Sequence, residues 1–430
     1  MAVVLNKLAE NSHFQASTAG FISDKTMCKA ALRPVNGAAN FADLAFEADL
    51  AVQDAQSAAL DHMEQCCRPS GLDRHKNGYS LRSQGRGLVK DIHRSLSLCG
   101  VSVLNSGPGN ANLVVRDGKI GARADIEGTA SCKSAWACPV CAPRLADARA
   151  KALLPQVTKA MQNGFSAFLL TFTVRHKRLM SLDDLLSSLG AAWRGLMQSR
   201  DYREWCKRFI QKPEWSKGWD VTRGDLHGWH PHLHMMLLLP AGGTEQDAAH
   251  LLDFWMKQAR LSGLTVTRGA QDVQRLDNPE AAARYAVSPA AVYEAVALAK
   301  KQGTGGGLTP FQILERAISD QKTGHSKSRW IALWREYVTA TKGRRLVSVS
   351  RNLSLKPDKD LVLEDDAPVV DRPIAFDRVA IRALDRANLM PALLLVVERF
   401  HCPWSRRASC LAFLKKHRIP GKFWSLPILE

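Results

Sequence analysis

Two apolar runs stand out in the hydropathy pattern of this chain. Residues 165–174 (Phe-Ser-Ala-Phe-Leu-Leu-Thr-Phe-Thr-Val) are rich in β-branched and aromatic side chains, follow an Asn163-Gly164 turn signal, and read as a strand. Residues 235–239 (Met-Met-Leu-Leu-Leu) read as the buried end of a second strand, preceded by Trp229-His230-Pro231-His232-Leu233-His234. Asp220 to Arg223 read as a third strand, paired with the second through a turn at residues 224–228. Residues 264–267 predict a short fourth strand.

Helix start signals punctuate the rest. Ser181 is an N-cap with Asp183 and Asp184 in the first turn of a helix reaching about residue 197. A second helix begins at Gly242-Gly243-Thr244-Glu245 and reaches about residue 261. Asn278-Pro279-Glu280 opens a third with a cap, a proline at its first position and an acid in its first turn. Ser288-Pro289 repeats the start signal and ends the preceding helical geometry, so Tyr285 falls beside a break. The tyrosine could equally be there to pack its ring. Residues 41–65, 330–342, 381–399 and 408–417 also read as helices. Residues 69–86 are polar and glycine-containing and predict a loop, and residues 358–371 an acidic linker. Residues 300–307 are glycine-rich but lack the Gly-Lys-Ser/Thr ending of a phosphate-binding loop.

In a strand, side chains two apart face the same way, so His232 and His234 can aim two imidazoles at one ion. Pro231 lacks a ladder donor and predicts a sheet edge or strand start. The structural alternative is a cluster of surface or capping histidines. A second constellation is Cys132-x5-Cys138-Pro-Val-Cys141, with Cys99 upstream. The Cys-x2-Cys knuckle lets two thiolates bind one tetrahedral zinc, Cys132 adds a third, and Cys99 the fourth in competition with His93. A redox pair has the same Cys-x2-Cys spacing, but no βαβ pattern surrounds it. Arg144, Arg149 and Lys151 follow on a helix and are expected to face phosphate. Cys66-Cys67 is too close in sequence to chelate one ion easily and reads as structural or incidental.

Charge narrows the partner. The 430 residues carry 59 basic and 41 acidic side chains, a formal +18. Such a balance points to a polyanion, nucleic acid first and a membrane surface second. No apolar run approaches the roughly 18 residues of a membrane span, and the N-terminus turns polar too soon for a signal peptide. A cytoplasmic protein is expected, whose ten cysteines are thiols or metal ligands.

Taken together, these stretches resemble the replication initiator (Rep) proteins of rolling-circle plasmids and filamentous phages, in the HUH endonuclease superfamily. The resemblance rests on Cys99-Gly100, Cys132, Trp136 to Cys141, the strand Leu169-Leu170-Thr171-Phe172-Thr173, Gly228 to His234, and Ala283-Arg284-Tyr285. Thr309-Pro310-Phe311, Trp334 to Tyr337 and Gly343-Arg344-Arg345 add to it, over roughly residues 95–352. It implies that His232 and His234 hold a catalytic Mg²⁺ or Mn²⁺, with Asp220 at the usual glutamate position as third ligand. It implies Tyr285 as nucleophile, with Tyr293 the fallback, and Glu280 as a second, water-activating acid. Ser288 stands where the family commonly has lysine.

The fold expected on this basis is α+β: a central antiparallel sheet with flanking helices, a zinc-bearing segment beside it, and a helical C-terminal region. Expected units are a variable, partly helical region 1–90, a Cys-rich zinc segment 91–150, the endonuclease domain 151–352, the linker 353–371 and a basic helical module 372–430. The expected function is site- and strand-specific nicking and joining of DNA at a single-stranded or hairpin origin, alongside host helicase and polymerase. An HUH transposase or relaxase, or a non-catalytic zinc-containing DNA-binding regulator, are the alternatives.

Overall fold

The computed structural model describes residues 74–104, 111–117, 122–287, 307–325, 328–361 and 368–425, with the backbone alone at 74–76, 284–287 and 424–425. The helix expected over 41–65, the Cys66-Cys67 pair, Tyr293 and residues 300–306 of the glycine-rich stretch lie outside the described residues.

In chain order the elements are α1 (Arg74–Gly85), α2 (Arg94–Leu98), β1 (Ala111–Arg116), β2 (Arg123–Glu127), α3 (Cys141–Gln162), β3 (Ser166–Phe172), α4 (Leu182–Gln198) and α5 (Arg200–Cys206). There follow β4 (Glu214–Gly224), β5 (Gly228–Leu239), α6 (Glu245–Leu261), β6 (Asp272–Leu276), α7 (Pro279–Val287), α8 (Pro310–Lys322), α9 (Arg329–Thr341) and β7 (Val347–Val349). The chain closes with β8 (Val369–Asp371), β9 (Ile374–Phe376), α10 (Arg378–Arg386), α11 (Met390–Glu398), α12 (Pro403–Lys416) and β10 (Phe423–Ser425). Among the described residues this is an α+β architecture with two antiparallel sheets.

The larger sheet has the order β6-β3-β5-β4-β7, with the histidine strand at its centre. Period-two alternation along β5 splits its side chains between two cores. Leu233, Met235, Leu237 and Leu239 pack with α4 and α6, among them Leu189, Trp193, Leu251 and Trp255. Met236 and Leu238 point the other way, with Leu169 of β3, Leu153 and Val157 of α3, and Ala282 and Ala283 of α7. His230, His232 and His234 continue that second row, so they share a face with α7. Start signals read from sequence are in place: Ser181 Oγ accepts from Asp184 N at 3.1 Å, and Thr244 and Asp247 form a reciprocal capping box.

Several expectations need correction. The predicted loop at 69–86 contains helix α1 and a 3-10 turn, Arg86–Val89. Its glycines read as loop residues because local pattern cannot register a close approach: a Cβ on Gly78 would lie 2.7 Å from the carbonyl oxygen of Pro139. The helix is held by burial of Tyr79, Leu81 and Arg82. The strand expected at 264–267 is a single bridge, Arg175 to Thr265. The neighbouring strand is instead β6, a mostly exposed edge strand without an apolar signature.

Both ends of the stretch read as an acidic linker are tied into the molecule, and its centre, residues 362–367, lies outside the described residues. Asp358 pairs with Arg149, which is 1% exposed. Asp371 is fully buried and lies 3.7 Å from Arg406 and 3.2 Å from Arg407. Strands β8 and β9 both pair with β1, so residues from the Cys-rich segment and from 369–425 form one sheet, β10-β9-β1-β2 with β8 on β1. Arg144 likewise does not face phosphate: it pairs with Asp125 beside Tyr79. Carboxylate partners engage these arginines, and burying the charges without them would be costly.

Candidate functional site

The four cysteines converge. Cys99 at the C-cap of α2, Cys132 in the loop after β2, Cys138, and Cys141 at the start of α3 have their Sγ atoms all within 4.8 Å of one another. Cys99 lies 3.8 Å from Cys138 and 3.6 Å from Cys141, and Cys132 lies 3.7 Å from Cys141. A tetrahedral zinc with Zn–S near 2.3 Å has sulfur–sulfur edges of about 3.8 Å, so the set fits such an ion without rearrangement. All four are free thiols. His93, the competing ligand, instead caps α2, its Nδ1 accepting from Leu96 N at 3.4 Å.

The four sulfurs differ. Burial, then the neighbouring cysteines, pushes Cys138 well up. At Cys132 the Cys138 hydrogen bond lowers but those with Cys141 and Cys99 push it up, and bonds from Cys132 and Cys138 pull Cys141 down. Backbone N–H groups of Cys141 and Ser134 donate to Sγ of Cys138 and Cys132 at 3.3 and 3.5 Å. Arg82 is buried over the Tyr79 ring with Nη1 4.0 Å from Cys99 Sγ. Hydrogen bonds from the neighbouring cysteines push the Cys99 thiol well down, and the Arg82 guanidinium lowers it further. Gly100, at φ +74°, leaves no Cβ where the Arg82 guanidinium packs. This group can hold a metal ion such as zinc.

The histidines form a continuous row. Ring centroids lie 4.6 Å apart for His176 and His230, 4.1 Å for His230 and His232, and 6.0 Å for His232 and His234, whose planes are 12° from parallel. Thr173 Oγ1 is 3.2 Å from His232 Nδ1, and Thr171 Oγ1 is 3.2 Å from His234 Nδ1. Each threonine thus engages Nδ1 and leaves Nε2 as the nitrogen that could meet an ion, as outer-shell partners do where an imidazole binds metal. Burial, then the neighbouring histidines, pulls His232 down to about 3, and burial pulls His234 down to about 4. Both rings are neutral at pH 7, the form that binds metal.

The remaining expected site residues are placed as follows. Asp220 is directly opposite His232 in the β4–β5 register and so projects from the same face. Among the described residues only the cysteines draw three or more ligands within 4.8 Å, so Asp220 and the two histidines are in register without that closure. Tyr285 lies in the last turns of α7, and its side chain is outside the described residues. That helix packs on α3 and on β3, β4 and β5, over the face that carries the histidines. Glu280 is exposed in its first turn, where the backbone N–H donates to Asn278 Oδ1 at 2.8 Å.

Sequence reasoning missed His176 and the role of the threonines. His176 Nε2 meets His230 Nδ1, and His176 Nδ1 lies 2.8 Å from the carbonyl oxygen of His227. Period-two spacing of Thr171 and Thr173 was the available signal for a matched pair. Nothing local signals His176, which follows the end of β3 and reaches β5 only through the fold. Among the described residues no helix is long and apolar enough to cross a membrane.

Comparison with known proteins adds the family. The model of a family described as replication protein matches residues 123–372, taking in Cys132, Cys138, Cys141, the histidine strand and α7. The chain is 26% identical over 315 residues to "Protein rep" of Streptomyces lividans, covering 56% of this chain and 69% of that protein. It is 24% identical over 287 residues to "Neomycin resistance protein" of Streptomyces cyanogenus, covering 50% of this chain and 66% of that protein. No solved structure matches the chain. More than half of its length, with the whole histidine face and three of the four cysteines, falls inside the family match, and the chain belongs to the replication protein family.

Proposed function

We propose that this chain is a rolling-circle plasmid replication initiator, a cytoplasmic enzyme of HUH endonuclease type that nicks and rejoins one DNA strand at a defined site. The observation that carries the reading is the pair His232 and His234, each fixed through Nδ1 by a threonine, with Asp220 in register and the helix bearing Tyr285 over the same face. Two neutral imidazoles and a carboxylate suit a divalent ion such as Mn²⁺ or Mg²⁺. His232 and His234 would hold it through Nε2 and Asp220 through a carboxylate oxygen. When bound, the ion supplies Lewis-acid polarisation of the scissile phosphate and offsets charge on its oxygens.

The tyrosine is the group that keeps the bond energy. Tyr285 Oη attacks phosphorus and loses its proton, the P–O3′ bond breaks, and the departing oxygen leaves as a free 3′-hydroxyl after taking up a proton. The product is a 5′-phosphotyrosine link, and a host polymerase working with a host helicase extends the 3′ end. Attack of a 3′-hydroxyl on the phosphotyrosine reverses the step and rejoins a strand. Glu280 is the acid assigned to activating water should the link be hydrolysed instead. The four-cysteine group binds structural zinc. Positive charge supplies sequence-independent attraction to DNA.

Labelled single-stranded origin candidates, incubated with the protein and Mn²⁺, should give a covalent protein–DNA band. Peptide mapping should find the nucleotide on Tyr285, and Tyr285→Phe should abolish the band while leaving DNA affinity in place. A band that survives Tyr285→Phe moves the nucleophile. No band from the wild-type protein on any substrate, with DNA binding retained, favours a non-catalytic DNA-binding protein.

A further inference from the structure

A cavity of about 410 Å³ opens at the β7 edge of the larger sheet, with none of His176, His230, His232 and His234 in its lining. Three pieces of chain wall it: the loop after Cys132, the α9–β7 turn, and the loop after β7. They contribute Lys133, Lys342, Arg344, Arg345, Lys356 and Lys359. The carboxylate in the lining, Asp358, is engaged by the buried Arg149. Arg344 is neutralised by Asp183 at 2.8 Å. Lys133 donates to the carbonyl oxygens of Lys359 and Leu361 at 2.6 and 2.9 Å, and Lys342 to that of Ile92 at 2.8 Å. Hydrogen bonds to carbonyl oxygens orient an ammonium group without cancelling its charge. Among the described residues no ion pair neutralises Lys133, Lys342, Arg345, Lys356 or Lys359.

The cavity is also held open by rigid parts. Trp136, in its wall, donates from Nε1 to the carbonyl oxygen of Arg344 at 2.8 Å, and Tyr337 Oη donates to the carbonyl oxygen of Trp136 at 3.1 Å. Lys133 follows Cys132 directly and adopts φ +48°, a left-handed backbone uncommon for a residue with a side chain. Five convergent cations on a fixed frame have one natural complement, an oxyanion polymer. Within the sheet, β7 is two strand spacings from β5, about 10 Å. A duplex is wide enough to touch this edge while one of its strands reaches the histidine face.

We propose that this cavity grips the phosphate backbone of double-stranded DNA flanking the nick site, separately from the face that performs the cleavage. The assignment rests on the reading of the chain as a DNA-nicking initiator. It gives the Cys-rich segment a second task, since the four-cysteine group anchors one wall of the duplex site.

The test uses the full-length, zinc-loaded protein and two probes, a mixed-sequence duplex and a single-stranded oligonucleotide that yields adduct. A triple variant, Arg345→Gln with Lys356→Gln and Lys359→Gln, removes charge without adding bulk. Each phosphate that is no longer neutralised should reduce the slope of log affinity for the duplex against log salt by about 0.9. A fall of roughly 2 to 3 in slope is expected for the three cations removed, with the adduct rate on the single strand unchanged. The charge-retaining set Arg345→Lys, Lys356→Arg and Lys359→Arg should keep the wild-type slope. An unchanged slope in the glutamine variant overturns the proposal, as does an equal fall in the charge-retaining set. Weaker duplex binding in a protein that never forms adduct would leave the cavity assignment standing and remove the nicking reading. Adduct with an unchanged slope would do the reverse.

Discussion

Thr173 Oγ1 sits 3.2 Å from His232 Nδ1, and two residues back along the same strand Thr171 approaches His234 in the same way at the same distance. Two adjacent strands therefore hold both imidazoles at once, because β3 and β5 run antiparallel with Thr171 opposite His234. Valine keeps the β-branched shape and removes the hydroxyl. Thr171→Val and Thr173→Val should each weaken metal dependence of adduct formation by about 10- to 100-fold, the usual effect of removing an outer-shell partner. A Mn²⁺ titration of adduct yield reads this, and unchanged midpoints would show that the hydroxyls do not set the rings.

The histidine face should respond to acid in a defined direction. His232 and His234 have folded-state values of about 3 and about 4, below the roughly 6.5 of an unfolded chain. Between those limits the unfolded state binds more protons, so stability rises with pH. Stability should be full above about pH 6.5 and fall as pH drops toward 4. Thermal melts of metal-free protein at pH 7.5, 6 and 5 should show this fall, and His232→Gln with His234→Gln should flatten it. A wild-type melting temperature indifferent to pH over that range would contradict the buried, neutral state.

Chelation, by depriving the cysteine group of the proposed zinc, should unfold more than the loop that carries it. Helix α1 rests on the Cys138-Pro139-Val140-Cys141 knuckle, and β1 shares its sheet with β8, β9 and β10. Elemental analysis should find about one zinc per chain, absent from Cys138→Ser with Cys141→Ser. Because metal binding and folding are coupled, hydrogen exchange after chelation should rise across β1, β2 and β9 before it rises in β5. Protein purified without chelator and free of zinc would refute the assignment.

Gly228→Ala should destabilise by about 2 kcal/mol. Gly228 has φ +79°, and an added Cβ would meet the carbonyl oxygen of Arg178 at 2.6 Å. Backbone, not a flexible side chain, is in the way. Denaturant titration measures the destabilisation; a change under about 0.5 kcal/mol would mean the Arg178 loop yields freely.

His176 meets His230 and stands outside the proposed His232–His234 pair. His176→Ala should reduce adduct by less than tenfold, well below the reduction from His232→Ala or His234→Ala. An equal reduction from His176→Ala, with an unchanged melting temperature, would place His176 among the ligands.

Sequence alone determined what depends on neighbours within a few residues. Alternation along residues 228–239 put His230, His232 and His234 on one side and Leu233 on the other, because a strand's side chains alternate. Cys138-Pro-Val-Cys141 announced a two-thiolate knuckle through its spacing, and Ser181, Thr244 and Asn278 announced their helices through side-chain oxygens that cap N–H groups two or three residues on. Strand pairing through Gly224 and Gly228 followed from a turn placed between the Asp220–Arg223 strand and the histidine strand.

Tertiary structure decided whatever depends on residues far apart in the chain. Arg144 and Arg149 look like phosphate ligands beside a cysteine knuckle, but their partners Asp125 and Asp358 are 19 and 209 positions away. An acidic run reads as a solvated linker until Asp371 is seen buried between Arg406 and Arg407. Strand β6 carries almost no apolar signal because it is an edge strand, exposed for most of its length. His176 meets His230 across 54 positions, and the cations at 133, 342–345 and 356–359 share a cavity only because three loops fold onto one frame. Local pattern encodes which way a side chain faces; only the packed chain fixes what it faces.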